Sequence, residues 1–350
     1  MSPENTESLG AFMATMVAQA RPVPIERAIA LVRECYGFEA QAARLTGERD
    51  ENFRLSARNG AEYVLKIANP AENAALTELQ IAALLHLERT APTLPCPRVV
   101  RALNGDTHVG FADEAGSART ARVLTFLPGR LLGTASRSPQ QRADCGRTGG
   151  RLSCALRNFE HRAMHRAIIW DVRHAEHMWR LLEQLPHFPY RPSVVDLLTR
   201  LAPALRSRLP RLRHQVVHND LNPLNILVDP SDEARVTGVI DFGDLTHTAL
   251  IADVAVSAAE LLPQDCSDPA RARECVLDVA LAYHGCAPLL PEELAVLGEL
   301  VAARLLMNVV VHEWHVQHNP LSSHYAALDR EFMRARLAIA DRMLLEEIKL

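Results

Sequence analysis

The stretch from Val216 to Asp244 limits the fold of this 350-residue chain more than any other. It reads Val216-Val217-His218-Asn219-Asp220-Leu221-Asn222-Pro223-Leu224-Asn225-Ile226-Leu227-Val228 and, after a turn, Val239-Ile240-Asp241-Phe242-Gly243-Asp244. Residues 226–228 are an apolar strand leaving a polar loop, Asp229-Pro230-Ser231-Asp232 carry turn chemistry, and residues 236–240 form the returning strand. A hairpin brings its two outer ends together. Asn225 and Asp241 are therefore predicted side by side at one mouth, with Asp220 on the loop just before them. The other strong patterns in this half of the chain are helical, over residues 145–159, 173–184, 194–205, 251–262, 271–283 and 292–316.

The first third of the chain has a different period. After Pro24, the residues Ile25, Ala28, Ile29, Leu31 and Val32 recur at helical spacing until Gly37. Residues 42–45, 52–57 and 63–67 read as short strands separated by Gly47-Glu48-Arg49-Asp50 and Arg58-Asn59-Gly60, which predicts an antiparallel meander. A helix over 72–87 follows, with Ala75, Leu79, Ala82, Ala83 and Leu87 on one side. Pro92, Pro95 and Pro97 then stiffen the connection into a strand over 98–103. A last strand, 121–126, runs into a hinge at Leu127-Pro128-Gly129. The expected order is helix, three strands, helix, two strands. Residues 1–24 form an extension with only a short apolar patch (Phe12, Met13, Met16, Val17), 25–126 a small mixed lobe, and 127–350 a larger helical lobe.

Composition narrows the class. With 48% hydrophobic and 23% charged residues the chain can pack a core, which excludes a disordered or fibrous protein. A net charge of −4 gives no bulk field for a polyanion, and 5% aromatics offer few base-stacking platforms, so no nucleic-acid partner is expected. The seven cysteines are an odd number without a CxxC pair, which argues against a disulfide framework or zinc ribbon. The polar N-terminus and the lack of an apolar run near the ~18 residues of a membrane span lead to the expectation of a cytoplasmic protein without a membrane partner. Nothing in the pattern speaks to oligomeric state.

The arrangement at the hairpin mouth suits phosphoryl transfer. Asp241 supplies a carboxylate and Asn225 an amide oxygen, hard ligands of the kind Mg2+ takes alongside nucleotide phosphates. Asp220 is left to orient and deprotonate an attacking hydroxyl, and His218 to support the loop. Lys66, within Tyr63-Val64-Leu65-Lys66-Ile67, is the candidate phosphate-gripping lysine. It calls for an acidic partner on the following helix, with Glu78 and Glu72 the candidates and Glu78, mid-helix, the better placed. Neither GxGxxG nor GxxxxGK[ST] occurs, so the turn at 47–52 must cover the phosphates with a single glycine. For an acceptor carrying an ammonium, Asp244 and Asp171 are candidate carboxylates, and Arg304, a lone charge in the apolar run 300–311, is the candidate fork for a substrate carboxylate. The histidines His161, His165, His312, His315 and His318 are read as incidental, and Arg206, Arg208, Arg211 and Arg213 as a solvated helix end.

A base Asp, an Asn five residues on, and Asp-Phe-Gly beyond a hairpin form the protein-kinase pattern. Over nearly its whole length the sequence resembles the aminoglycoside phosphotransferase and choline kinase group. The likeness is carried by Val64-Leu65-Lys66-Ile67, Leu124-Thr125-Phe126-Leu127-Pro128-Gly129-Arg130, His218-Asn219-Asp220-Leu221-Asn222 and Ile240-Asp241-Phe242-Gly243-Asp244. Asp50-Glu51-Asn52-Phe53, Ile169-Trp170-Asp171 and the Asp244 after Phe-Gly are most similar to the hydroxylysine kinase branch of that group. The resemblance implies an α+β, bilobal, protein-kinase-like fold with a small, mixed antiparallel-sheet, nucleotide-binding N-lobe and a larger, mainly helical C-lobe. It implies Asp220 as catalytic base, Asn225 and Asp241 on Mg2+, Lys66 on the phosphates, and the backbone of Thr125, Phe126 and Leu127 on the base of ATP or GTP. The implied acceptor is a small hydroxylated amine or amino acid, hydroxylysine first. An aminoglycoside phosphotransferase, a choline-, ethanolamine- or homoserine-type kinase, and a nucleotide-binding pseudokinase are the alternatives. Asn219 stands where many members of the group carry glycine.

Overall fold

The computed structural model describes residues 22–47, 49–114, 116–318, 329–345 and 348–350, so most of the expected extension, including Phe12, Met13, Met16 and Val17, lies outside the described residues. The chain is a bilobal α+β protein. One compact unit comprises Met1–Pro128 with His161–Ala163, and the other Gly129–Glu160 with Met164–Leu350.

In the first unit, helix α1 (Ile25–Tyr36) ends on Gly37 in the left-handed conformation, whose N–H closes onto Val32 and Arg33 carbonyls. Strands β1 (Ala40–Leu45), β2 (Glu51–Ala57) and β3 (Glu62–Ile67) form the predicted meander. Helix α2 (Ala74–Thr90) is followed by β4 (Val99–Val100), β5 (Val109–Ala112) and β6 (Ala118–Thr125). The sheet order is β1-β2-β3-β6-β4, with β5 also paired to β6, and every pair is antiparallel. Two expectations need correction: the strand over 98–103 shrinks to two residues, and β5 is additional. β5 is short and contains Gly110, so it leaves no alternating signature.

Alternation along these strands decides the site. Phe53, Leu55, Leu65, Ile67, Ala121 and Val123 face the core they share with Ala28, Leu31 and Val32 of α1. Full burial of each large side chain contributes about 1.5–3 kcal/mol. The intervening residues turn to the opposite face, and the register sets Asn52 against Lys66 and Lys66 against Arg122.

The second unit starts with β7 (Arg130–Leu131) and α3 (Pro139–Leu156). A 3-10 segment (Val172–His177), α4 (Met178–Glu183) and α5 (Arg191–Pro203) follow. Four strands come next: β8 (His214–Val217), β9 (Ile226–Val228), β10 (Val236–Val239) and β11 (Thr246–Ala249). The unit ends with α6 (Leu250–Glu260), α7 (Pro269–His284), α8 (Pro291–His318) and α9 (Arg330–Met343). The β9–β10 hairpin forms as predicted, with Val239 opposite Ile226, and β7 extends it on the far side of β9. The β8–β11 ladder is an addition to the expected single strand pair. It sets Thr246 opposite Val217 and so ties together the two chain ends that flank the hairpin loop.

Helix α8 corrects a further expectation, that no apolar run approaches the length of a membrane span. It is long and apolar enough to cross a membrane, yet 78% of its most apolar window is buried within the protein. It packs against α4, α5, α6 and α9, and serves as the spine of the helical unit. The seven cysteines are unbridged.

Candidate active site

The loop between β8 and β9 is held from below by histidine and from behind by helix α6. His218 is fully buried; its Nε2 lies 3.2 Å from the Ile240 carbonyl, and its Nδ1 accepts the Asp220 N–H at 3.3 Å. Burial drives its imidazole down to about 4, so the ring is neutral and spans the hairpin mouth as a spacer. Asn219 follows with φ 64°, and its N–H donates to Asp253 Oδ1 of α6 at 2.8 Å. Burial raises the Asp253 carboxyl to about 7. Asn219 and Asp241 are the two non-glycine residues with positive φ among the described residues, and both lie in this site. Such conformations cost on the order of 1–3 kcal/mol and persist where the surroundings over-determine them.

Asp220 is the focus of the loop. Its Oδ1 accepts from Asn222 Nδ2 at 2.9 Å and from Arg304 Nη2 at 3.3 Å, and its Oδ2 accepts from Asn225 Nδ2 at 2.6 Å. Burial first, and the charge of Asp244 second, raise its carboxyl to about 7, against the lowering effect of Arg304. Because Asn225 spends its amide N–H groups on Asp220, its Oδ1 has no partner among the described residues. The Ile240 N–H donates to the Asn225 carbonyl at 2.9 Å, which locks Asn225 beside the end of β10. Asp241 comes next, with its Oδ1 accepting from the Gly243 N–H at 3.2 Å. Two hard oxygen donors, one amide and one carboxylate, thus stand on neighbouring hairpin ends.

Behind Asp220 lies a network from α8. Arg304, almost fully buried, donates from Nε to Glu260 Oε1 at 2.7 Å and from Nη1 to the Trp170 carbonyl at 3.0 Å, and stacks 4.8 Å over the Trp170 ring. Asn308 Nδ2 donates to the same Glu260 oxygen at 2.9 Å, so Glu260 Oε2 has no partner among the described residues.

In the first unit, the row Asn52–Lys66–Arg122 forms a separate polar cluster. Lys66 Nζ lies 3.5 Å from Asp50 Oδ2, and Arg122 Nη2 lies 2.8 Å from the same oxygen. Arg122 also donates to Gln80 Oε1 of α2 at 2.6 Å.

A model of the phosphotransferase enzyme family matches residues 41–289. The chain belongs to that family. Among curated relatives it is 28% identical to the hydroxylysine kinase of Mus musculus, over 88% of this chain and 87% of that one. It is 27% identical to the homoserine kinase of Methylobacillus flagellatus, over 71% of each. Among solved structures the fold is similar to that of a microcompartment-associated aminopropanol kinase, with a TM-score of 0.67, 18% identity, and coverage of 92% of this chain and 95% of that one.

Within this phosphotransferase-family fold, Asp220, Asn225, Asp241 and Asp244 gather around one loop, and Arg304 lies behind it. Three residues do not have the surroundings expected for them. Glu78 pairs at 2.5 Å with Arg162. It is two residues before Gln80, about 200° around the helix, so with Gln80 turned inward Glu78 must turn outward. Asp171 has no exposed surface; its Oδ1 caps the Val172–His177 segment through the Arg173 N–H and accepts from Thr248 Oγ1, so a substrate ammonium cannot reach it as the fold stands. Arg304, expected to fork a substrate carboxylate, is committed to Glu260, Trp170 and Asp220. At the hinge, Thr125 and Phe126 spend their N–H groups on the Arg98 and Glu62 carbonyls. The Leu127 N–H is uncommitted among the described residues. Gln80, Arg122, Asp253, Glu260 and Asn308 were not singled out from the sequence, and Asp50 was named only in a turn and in the stretch that carries the resemblance, without a role of its own. Gln80 and Arg122, polar residues on otherwise buried faces, were the detectable signal.

Proposed function

We propose that this protein is a magnesium-dependent small-molecule kinase that moves the γ-phosphoryl group of ATP or GTP to a hydroxyl of an amine-bearing metabolite, with hydroxylysine the leading acceptor. The observation that carries this reading is the Asp220 carboxylate, held between the Asn222 and Asn225 amides while the Asn225 Oδ1 is left over beside Asp241.

The donor set fits Mg2+, which takes one or two protein oxygens and completes its shell with water and phosphate. Asn225 and Asp241 would hold it, and when bound it neutralises charge on the nucleotide phosphates. Lys66 contacts phosphate oxygens, and the Leu127 backbone is the hinge group left to meet the nucleotide base. Asp220 orients the acceptor hydroxyl and takes its proton as the hydroxyl oxygen bonds to the γ-phosphorus. The bond from that phosphorus to the bridging oxygen breaks and the nucleoside diphosphate leaves. A carboxylate raised towards neutrality is suited to such a proton transfer.

Acceptor choice follows from charge. Asp220, Asp244 and Glu260 all lie in the field of Arg304, and Glu260 lies also in those of Arg137 and Arg336. Glu260 Oε1 takes the Arg304 and Asn308 donors, which leaves Glu260 Oε2 as the carboxylate oxygen for a substrate ammonium. Hydroxylysine, homoserine and aminopropanol, the compounds in the relatives' names, each pair an amine with a hydroxyl.

The test is a coupled screen for nucleoside diphosphate release, with both donors, against hydroxylated amino acids, amino alcohols and aminoglycosides. Release is expected with a hydroxylated amine or amino acid. Nucleotide-dependent thermal stabilisation without transfer to any compound would replace this reading with a pseudokinase. Glu260→Gln is expected to raise the acceptor KM about tenfold or more while leaving the nucleotide KM near that of the parent, as steady-state kinetics would show.

A further inference from the structure

Lys66 requires a partner that keeps its ammonium aimed while partly withdrawn from water. A buried lysine left unpaired gives up its proton or swings to solvent. The helix after the lysine strand is the place the sequence suggests for that acid. Helix α2 instead presents an uncharged amide, Gln80, to this cluster, and its Glu78 is engaged with Arg162 on a solvent-facing side.

A carboxylate beside Lys66 comes from the turn between β1 and β2. Asp50 Oδ2 lies between Lys66 Nζ at 3.5 Å and Arg122 Nη2 at 2.8 Å. The three side chains are 9%, 10% and 1% exposed for Asp50, Lys66 and Arg122, so their attractions are poorly screened by water. Arg122 is directly opposite Lys66 on β6, and its hydrogen bonds to Asp50 and Gln80 fix the guanidinium between turn and helix. The turn itself is tightly folded over Asp50. Asn52 Nδ2 donates to the Asp50 carbonyl at 3.3 Å. A Cβ on Gly47 would stand 2.3 Å from that Asn52 nitrogen and 2.4 Å from the Asp50 carbonyl oxygen.

We infer that Asp50 is a positioning residue for Lys66, that Arg122 holds Asp50 in place, and that an acidic partner of the phosphate-binding lysine is thereby supplied by the phosphate-covering turn, where Glu78 of helix α2 supplies none. The inference rests on the proposed role of Lys66 at the nucleotide phosphates. Its consequence is that the conformation of the turn and the aim of Lys66 are a single variable. The lone glycine is then required for its lack of a side chain at the point where the turn closes on Asp50.

The test uses the full chain and the variants Asp50→Asn, Asp50→Glu, Glu78→Gln and Gly47→Ala. Affinity for Mg·AMP-PNP is measured by calorimetry, ATP and hydroxylysine parameters by steady-state kinetics, and folding by nucleotide-free melts. Asp50→Asn is expected to weaken AMP-PNP binding and lower kcat/KM for ATP by about tenfold or more, with the hydroxylysine KM within about twofold of the parent. Asp50→Glu should recover much of the loss, Gly47→Ala should reproduce it without a change of charge, and Glu78→Gln should match the parent. The inference is overturned if Glu78→Gln loses as much as Asp50→Asn, if Asp50→Asn stays within about twofold of the parent, or if nucleotide and acceptor parameters fall together with the folded fraction. A parent protein that neither binds AMP-PNP nor transfers phosphate removes the kinase reading itself, and the inference with it.

Discussion

Asp220 illustrates how much chemistry a single carboxylate draws from its neighbours. Two amides and a guanidinium hold it, and burial first, then the charge of Asp244, raise its proton affinity. Asp220→Asn keeps the shape but removes the proton acceptor. Turnover is expected to fall by about 10²–10⁴-fold with AMP-PNP affinity retained, and a variant within about tenfold of the parent would exclude Asp220 as base. Asp253 acts at one remove, through the Asn219 backbone N–H. Its folded pKa is raised to about 7, so the stability it contributes is full below the ordinary carboxylate range and fades as pH rises through that value. Asp253→Asn cannot ionise. Its melting temperature should therefore climb relative to the parent's between about pH 4 and about pH 7 and level off above, and a pH-independent offset would contradict the assignment. The grouping of Asp220, Asn225 and Asp241 was legible in the sequence because they lie on one short stretch whose turn chemistry closes it into a hairpin. Glu260 and Asp253 were not, because an acid on an apolar helix announces neither its depth nor its neighbour.

At the scale of elements, alternation and helical spacing located the meander, the hairpin and most of the helices. The β8–β11 ladder was missed because its strands have four residues each and bury polar threonine and glutamine beside valine. Helix pairs obey a rule of their own. α3 lies against α7 so closely that a Cβ on Gly146 would meet the Val279 carbonyl oxygen at 2.3 Å. Gly146→Ala should cost about 1–3 kcal/mol in denaturant titration, whereas Gly110→Ala on β5, with nothing within 4 Å of the added carbon, should stay within about 0.5 kcal/mol. Equal losses would mean that helix proximity is not what selects glycine at Gly146.

For the whole molecule, a ligand that binds only the folded state shifts the unfolding equilibrium by mass action. Mg·ATP at about 100 times its Kd should stabilise the protein by about 2.7 kcal/mol. Asp241→Asn should lose most of that increment when Mg2+ is present, while in nucleotide-free melts it should remain close to the parent. An undiminished increment would remove Asp241 from the metal site. The division into a sheet-rich and a helix-rich lobe was evident from periodicity, and the unbridged cysteines were expected from their odd number without a CxxC pair. The sequence by itself determined the features made by neighbours along the chain: strand faces, hairpin ends, helix stops, and the spacing of Asp220, Asn225 and Asp241. Only the tertiary structure decided which acid meets Lys66, which way Glu78 points and what Arg304 holds. Those depend on how far a helix is rotated about its axis and on contacts such as Asp50 to Arg122, separated by 72 positions, which no local pattern encodes.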